Sequence, residues 1–170
     1  MSDAPVDLVD RFLAEPKRLY GEPPQFGPTV FQRRGSISEA QWPVSDADGI
    51  VTQGSLRFFH CIARQFTIAV IFSGQCVARL DFVDHAECHS NPHWADSLGL
   101  EPLVCGPHIH RWSDNRGCIM FGERKWELPC RAALPTQIRR FQQAFAWLAD
   151  EINLELTPDQ RAFELPQQLA

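Results

Sequence analysis

Apolar residues Val6, Leu8, Val9, Phe12 and Leu13 recur at helical spacing and stop short of Pro16, which predicts a short N-terminal helix over 6–13. Segments 55–64, 66–73 and 76–83 read instead as strands, the last two forming a hairpin around Ser73-Gly74-Gln75. Burial argues the register of that hairpin. A three-residue loop pairs Phe72 with Cys76 and aligns Phe66, Ile68, Val70, Phe72, Cys76, Ala78, Leu80 and Phe82 on one wholly apolar face. A two-residue loop would mix Arg79 and Asp81 into that face, which burial disfavours. The opposite face then carries Thr67, Ala69, Ile71, Val77, Arg79, Asp81 and Val83, with Arg79 and Asp81 side by side.

The rest of the pattern is less regular. Residues 16–49 are rich in Pro and Gly and read as a long connection, with an extended piece at Thr29–Arg34 and a turn at Asp46-Ala47-Asp48-Gly49. Residues 84–101 are polar and irregular; 108–112 return as a strand, and 117–121 form another. Pro135 suits the first turn of a helix over 136–153, where Ile138, Phe141, Phe145, Leu148 and Ile152 make one apolar stripe. These elements predict an α+β single domain: an antiparallel β-sheet with an N-terminal helix and a C-terminal amphipathic helix. Residues 1–50 hold the helix and connection, 51–156 the sheet, the histidine-rich region and the C-terminal helix, and 157–170 a polar tail.

The 170 residues and 44% hydrophobic content suit one compact domain with a sizeable core. A net charge of −5 gives no overall basic footprint for nucleic acid, leaving only a local patch for that role. The most apolar run, Phe66–Phe72, is too short to span a membrane. With no hydrophobic leader, the expected compartment is the cytoplasm and the six cysteines are expected as reduced thiols.

Five of the six histidines fall between His85 and His110. In an extended His108-Ile109-His110 run both imidazoles share a face, with Trp112 beyond them, and Ile109 points into the body. Arg79, Asp81, His85, His108 and His110 together supply a fixed cation, a carboxylate to orient an imidazole, and proton carriers. That set suffices for metal-independent phosphodiester cleavage: one histidine as base, another as acid, arginine on the phosphate. A structural zinc site is the competing use, with Cys88, His89, His93 and Cys105 as ligands at workable spacing. His85-Ala86-Glu87 and Pro129-Cys130 imitate a zinc deaminase signature, but no further cysteine follows closely, which excludes that site. Arg131, Arg139 and Arg140 read as a solvated helix face with a phosphate patch as the alternative, and Trp94, Trp112 and Trp126 as packing residues with base stacking as theirs.

The order strand hairpin, Arg79-Leu80-Asp81, His85, Asn91-Pro92, then Gly106-Pro107-His108-Ile109-His110 resembles a group of small phage and mobile-element proteins and, more distantly, TumE-like toxins of toxin–antitoxin pairs. The resemblance spans roughly residues 55–153 and places Arg79, Asp81, His85, His108 and His110 in the shared motif. It implies an α+β fold with a C-terminal helix, a toxin acting on an RNA substrate, and an antitoxin or other protein partner. The insertion 88–101 and the first 50 residues depart from it. Two functions are therefore expected: a ribonuclease-like or phosphodiesterase-like effector needing no cofactor, or a non-enzymatic accessory or inhibitor protein whose histidine–cysteine cluster is structural, around zinc.

Overall fold

The structure, a computed structural model, describes residues 6–32, 35–61, 65–120 and 126–167. In chain order the elements are α1 (Val6–Ala14), β1 (Lys17–Leu19), β2 (Val30–Gln32), β3 (Gly35–Asp46), β4 (Val51–Cys61), β5 (Phe66–Phe72), β6 (Gln75–Phe82) and β7 (Cys88–Ser90). A 3₁₀ turn (His93–Leu98) follows, then β8 (Leu103–Cys105), β9 (His108–His110), α2 (Trp112–Met120), β10 (Ala132–Ala133), α3 (Phe141–Glu151), β11 (Leu154–Glu155) and α4 (Pro158–Arg161). The fold is α+β, as the pattern predicts. One sheet runs in the order β10-β9-β6-β5-β4-β3-β1-β11, with β2 on β3; among the described residues only the β1–β11 pairing in it is parallel. β7 and β8 form a separate ribbon. No helix among the described residues is long and apolar enough to cross a membrane.

One face of the sheet is the core. Trp42, Leu56, Phe58, Ile68, Val70, Leu80 and Ile109 are each at most 1% exposed, and α3 covers them through Phe141 and Phe145, whose rings lie 5.9 and 5.4 Å from Phe58. The Ile138, Phe141, Phe145, Leu148 and Ile152 stripe is buried as expected. α1 closes the other end, its Phe12 stacked on Phe72 at 4.5 Å. The opposite face carries a row of directly opposed residues across five strands: Glu39, Phe59, Thr67, Asp81 and His108. Beside it runs a second row: Gln41, Arg57, Ala69, Arg79 and His110.

The structure differs from the sequence reading at several places. The β5–β6 turn has two residues, not three: Phe72 pairs with Gln75, and Ser73 and Gly74 both take positive φ, as a primed hairpin turn requires. A bulge at Cys76–Val77 then adds the missing residue, restoring Val70 opposite Ala78 and Phe66 opposite Phe82. The expected face survives, with fully buried Val77 joining the core. The supposed connection 16–49 supplies β1, β2 and the 12-residue β3, so much of it belongs to the sheet. β4 begins at Val51, and the expected strand end at 62–64 lies outside the described residues. Strand β9 stops at His110, and Trp112 opens a helix that also takes 117–120, where a strand was expected; Phe121 lies outside the described residues. α3 starts at Phe141 after a turn in which Ile138 N–H donates to the Pro135 carbonyl, so Pro135 precedes the helix. The tail is not merely polar. α4 has a Thr157–Gln160 capping box, and Phe163 packs on Trp42 and Phe58 at 5.2 and 5.4 Å. Finally, Cys88 and Cys105 are joined by a disulfide, not held as reduced thiols.

Candidate metal centre and its groove

Strand β6 lies antiparallel to β9 with Arg79 opposite His110 and Asp81 opposite His108. Alternation sends all four side chains to the face away from α3, while Leu80 and Ile109 go into the core. Arg79 Nε donates to Asp81 Oδ2 at 2.7 Å, and Thr67 Oγ1–H donates to Asp81 Oδ1 at 2.7 Å from β5. His108 and His110 are 2% and 1% exposed. The residues expected to act together at positions 79, 81, 108 and 110 are thus brought together, with Thr67 added.

The two imidazoles are oriented in the same way. His108 Nδ1–H donates to the Gly106 carbonyl at 2.8 Å, and His110 Nδ1–H donates to the Leu128 carbonyl at 2.5 Å. These bonds leave each Nε2 with its lone pair, at 3.6 Å (His108) and 3.4 Å (His110) from Asp81 Oδ2. Arg79 Nη2 donates to the His110 Nε2 lone pair at 3.1 Å. The Asp81, His108 and His110 ligand atoms all lie within 4.8 Å of one another, close enough to bind a metal ion.

Burial lowers the pKa of His108, which outweighs the Gly106 hydrogen bond and Asp81, so its ring is neutral at pH 7. Burial pushes the Asp81 carboxyl up, but the Arg79 charge and the hydrogen bonds from Thr67 and Arg79 hold it well below the usual carboxylate range. The centre at neutral pH is therefore an ionised carboxylate facing a neutral imidazole.

The surrounding segments explain how the rings are held. Gly106 has φ +79°, and a Cβ there would sit 3.1 Å from His85 Nδ1 and 3.3 Å from His85 Cα, so glycine is needed both for the backbone and for the space. Segment 128–131, which supplies the Leu128 carbonyl, is fixed by two asparagines. Fully buried Asn115 donates to the Cys130 carbonyl at 3.0 Å and accepts from Cys130 N–H at 2.7 Å. Asn91 does the same for Arg131, with both distances 2.9 Å. Asp81 and His108 open on a groove of about 820 Å³ that is also lined by Glu39, Phe59, Thr67, Arg79, Glu87, His89 and Arg131.

The other expected residues lie elsewhere. His85 is exposed and sits against Gly106, outside the Asp81–His108–His110 group. The expected zinc ligands do not form one centre. The Cys88 and Cys105 sulfurs are bonded to each other, which removes them as thiolates. His89 is hydrogen-bonded to Glu87 at 2.8 Å with its ring 5.7 Å from that of His108, and His93 is exposed in the 3₁₀ turn. Arg139 and Arg140 are exposed before α3, apart from the groove-lining Arg131. Trp112 and Trp126 pack together at 5.5 Å, and Trp94 is 45% exposed. Sequence reasoning missed Thr67, Asn91 and Asn115 as site supports. Thr67 was legible from its register opposite Asp81; Asn91 stood in the Asn91-Pro92 step of the resemblance with no role attached, and Asn115 showed no signal.

No family model, curated protein or solved structure matches the chain. The chemistry of the site rests on its geometry.

Proposed function

We propose that the chain is a phosphodiester hydrolase in which Asp81, His108 and His110 hold a catalytic divalent ion, with zinc best suited to the donor set. The orientation of the two imidazoles carries this reading. Each gives its Nδ1–H to a main-chain carbonyl and turns Nε2 to one carboxylate oxygen, the outer-shell pattern of metal-binding histidines. Tetrahedral zinc with bonds of about 2.0–2.1 Å spaces its ligand atoms about 3.3 Å apart. The Nε2–Oδ2 separations here are 3.4 and 3.6 Å. Two histidines and one carboxylate leave a fourth position for water, and a bound zinc ion supplies a hydroxide nucleophile near neutral pH. Arg79, 43% exposed at its side chain and tied to Asp81, is placed to meet phosphate charge. RNA as the phosphodiester, and a toxin or mobile-element role with an antitoxin partner, follow from the TumE-like motif.

A second reading keeps the same residues without metal. It is favoured by the Arg79 donor at His110 Nε2, which occupies the lone pair a metal would take, and by the neutral His108 ring at the groove. There His108 is the general base toward an attacking hydroxyl, and Arg79 holds the phosphate.

The test is elemental analysis of untagged protein, followed by RNA cleavage with wild type, His108→Ala and His110→Ala. About one zinc per chain, lost in His110→Ala, with cleavage stopped by chelator and restored by zinc, is the expected result. Chelator-insensitive cleavage transfers the site to the acid–base reading. Neither metal nor cleavage refutes a hydrolase and leaves a binding module whose histidines are structural.

A further inference from the structure

Of the two arginines among the described residues that line the groove, Arg79 has a side-chain acceptor in Asp81, and Arg131 has none among the described residues. Its Nε is buried and has no hydrogen-bond partner among the described residues. The carboxylates in the groove lining are already engaged elsewhere: Asp81 with Arg79 at 2.7 Å, Glu39 with Arg57 at 3.0 Å and Glu87 with His89 at 2.8 Å. A buried guanidinium donor left unpaired is costly, and the usual remedy is an acceptor close by.

The position is also built. Ala132 and Ala133 of β10 pair with Ile109 and His108, and continuing that alternation places Arg131 on the His110 face of the sheet. Asn91 grips the main chain of Arg131 at both its N–H and its carbonyl, and donates as well to the Glu101 carbonyl at 2.7 Å. The clamp fixes the main chain from which the side chain enters the groove, so no backbone ordering is left for a ligand to impose. Arg79 lines the same groove, and its charge acts on Arg131 strongly enough to lower the Arg131 pKa, second only to burial. An anion between the two guanidiniums relieves that repulsion and gives the part of Arg131 that lines the groove an acceptor.

We infer that Arg131, together with Arg79, forms an oxyanion subsite in this groove that takes the phosphoryl group of a phosphodiester of nucleotide size. The guanidinium fork matches phosphate oxygens in pairs. The groove, about 820 Å³, is far larger than a free inorganic anion needs and has an aromatic wall at Phe59. The ligand class rests on the hydrolase reading, but its binding can be measured without turnover.

The experiment is calorimetric titration, in chelator, with a 2′-O-methylated dinucleoside monophosphate, so that neither a metal-supplied hydroxide nor a ribose 2′-hydroxyl can cleave it. The proteins are wild type, Arg131→Met, which keeps the apolar stem, and Arg131→Lys, which keeps the charge but not the fork. Affinity is expected to fall about tenfold or more in Arg131→Met and by less in Arg131→Lys, with the unliganded melting temperature of Arg131→Met not lowered. Equal affinity in wild type and Arg131→Met overturns the subsite, as does absence of binding to wild type. The two proposals fail separately. Binding that depends on Arg131 without any cleavage of unmodified RNA keeps the subsite and sinks the hydrolase. Cleavage indifferent to Arg131→Met keeps the hydrolase and sinks the subsite.

Discussion

Replacing Asp81 by Asn in the metal-free protein tests how much of the centre is held by one charge. The amide has almost the same shape but cannot accept at both oxygens. Asp81 Oδ2 takes the Arg79 Nε–H at 2.7 Å and Oδ1 takes the Thr67 hydroxyl at 2.7 Å. A hydrogen bond to an ionised group contributes about 1.5–3 kcal/mol, and a neutral one about 0.5–1.5 kcal/mol. Arg79 is 43% exposed, so its contribution is discounted toward the surface range. An NH₂ group facing either donor leaves one contact broken. The expected loss is about 2 kcal/mol, or roughly 4–8 °C in melting temperature for a chain of this size.

The pH dependence gives the sharper check. The folded carboxyl titrates below its ordinary value because the upward push of burial is outweighed by the Arg79 charge and the hydrogen bonds from Thr67 and Arg79. A depressed pKa means that the folded state prefers the ionised form. The stabilisation is complete above the unfolded value of about 3.9 and is lost as pH falls from there through the folded pKa. Asn does not titrate, so the gap between wild type and Asp81→Asn is full at pH 7 and shrinks in acid. Urea unfolding in chelator at neutral and acid pH measures it. A variant as stable as wild type at pH 7, or a gap that does not shrink in acid, refutes the account of Asp81 as an ion held by its donors.

Two further outcomes are expected. Thiol titration of the denatured protein should find two more reactive cysteines per chain after reduction than before it, because Cys88 and Cys105 are bonded to each other; equal counts before and after would remove the disulfide. Asn115→Ala should cost about 2–3 kcal/mol in urea unfolding, because Asn115 is fully buried and its loss orphans the Cys130 N–H and carbonyl. The same variant should weaken zinc binding by about tenfold or more, since it loosens the segment whose Leu128 carbonyl orients His110; unchanged affinity would show that the segment is held by other contacts.

What could be read from the chain follows from which signals are local. The face shared by Arg79 and Asp81, and that shared by His108 and His110, needed only strand alternation, and both hold. The hairpin register came out right although its turn did not, because burial of Phe66, Ile68, Val70 and Leu80 constrains the strand bodies whatever joins them. Strand β3 was hidden by its own composition. Its core-facing row is Ser36, Ser38, Ala40, Trp42 and Val44, in which buried serines break the apolar signal. Helix α2 was hidden in a similar way, since the face it buries includes the polar Asn115. The residues that turn a histidine cluster into a site were beyond local reading altogether. The Cys88–Cys105 bond spans 17 residues, the Asn91 grip on Arg131 spans 40, and the Leu128 carbonyl meets His110 from 18 residues away. Each depends on how the 84–105 and 126–133 segments return to the edge of the sheet. The sequence pattern therefore marks where proton and metal chemistry can occur, while the long-range returns decide which atoms face it: two Nε2 lone pairs, one carboxylate and one unpaired guanidinium.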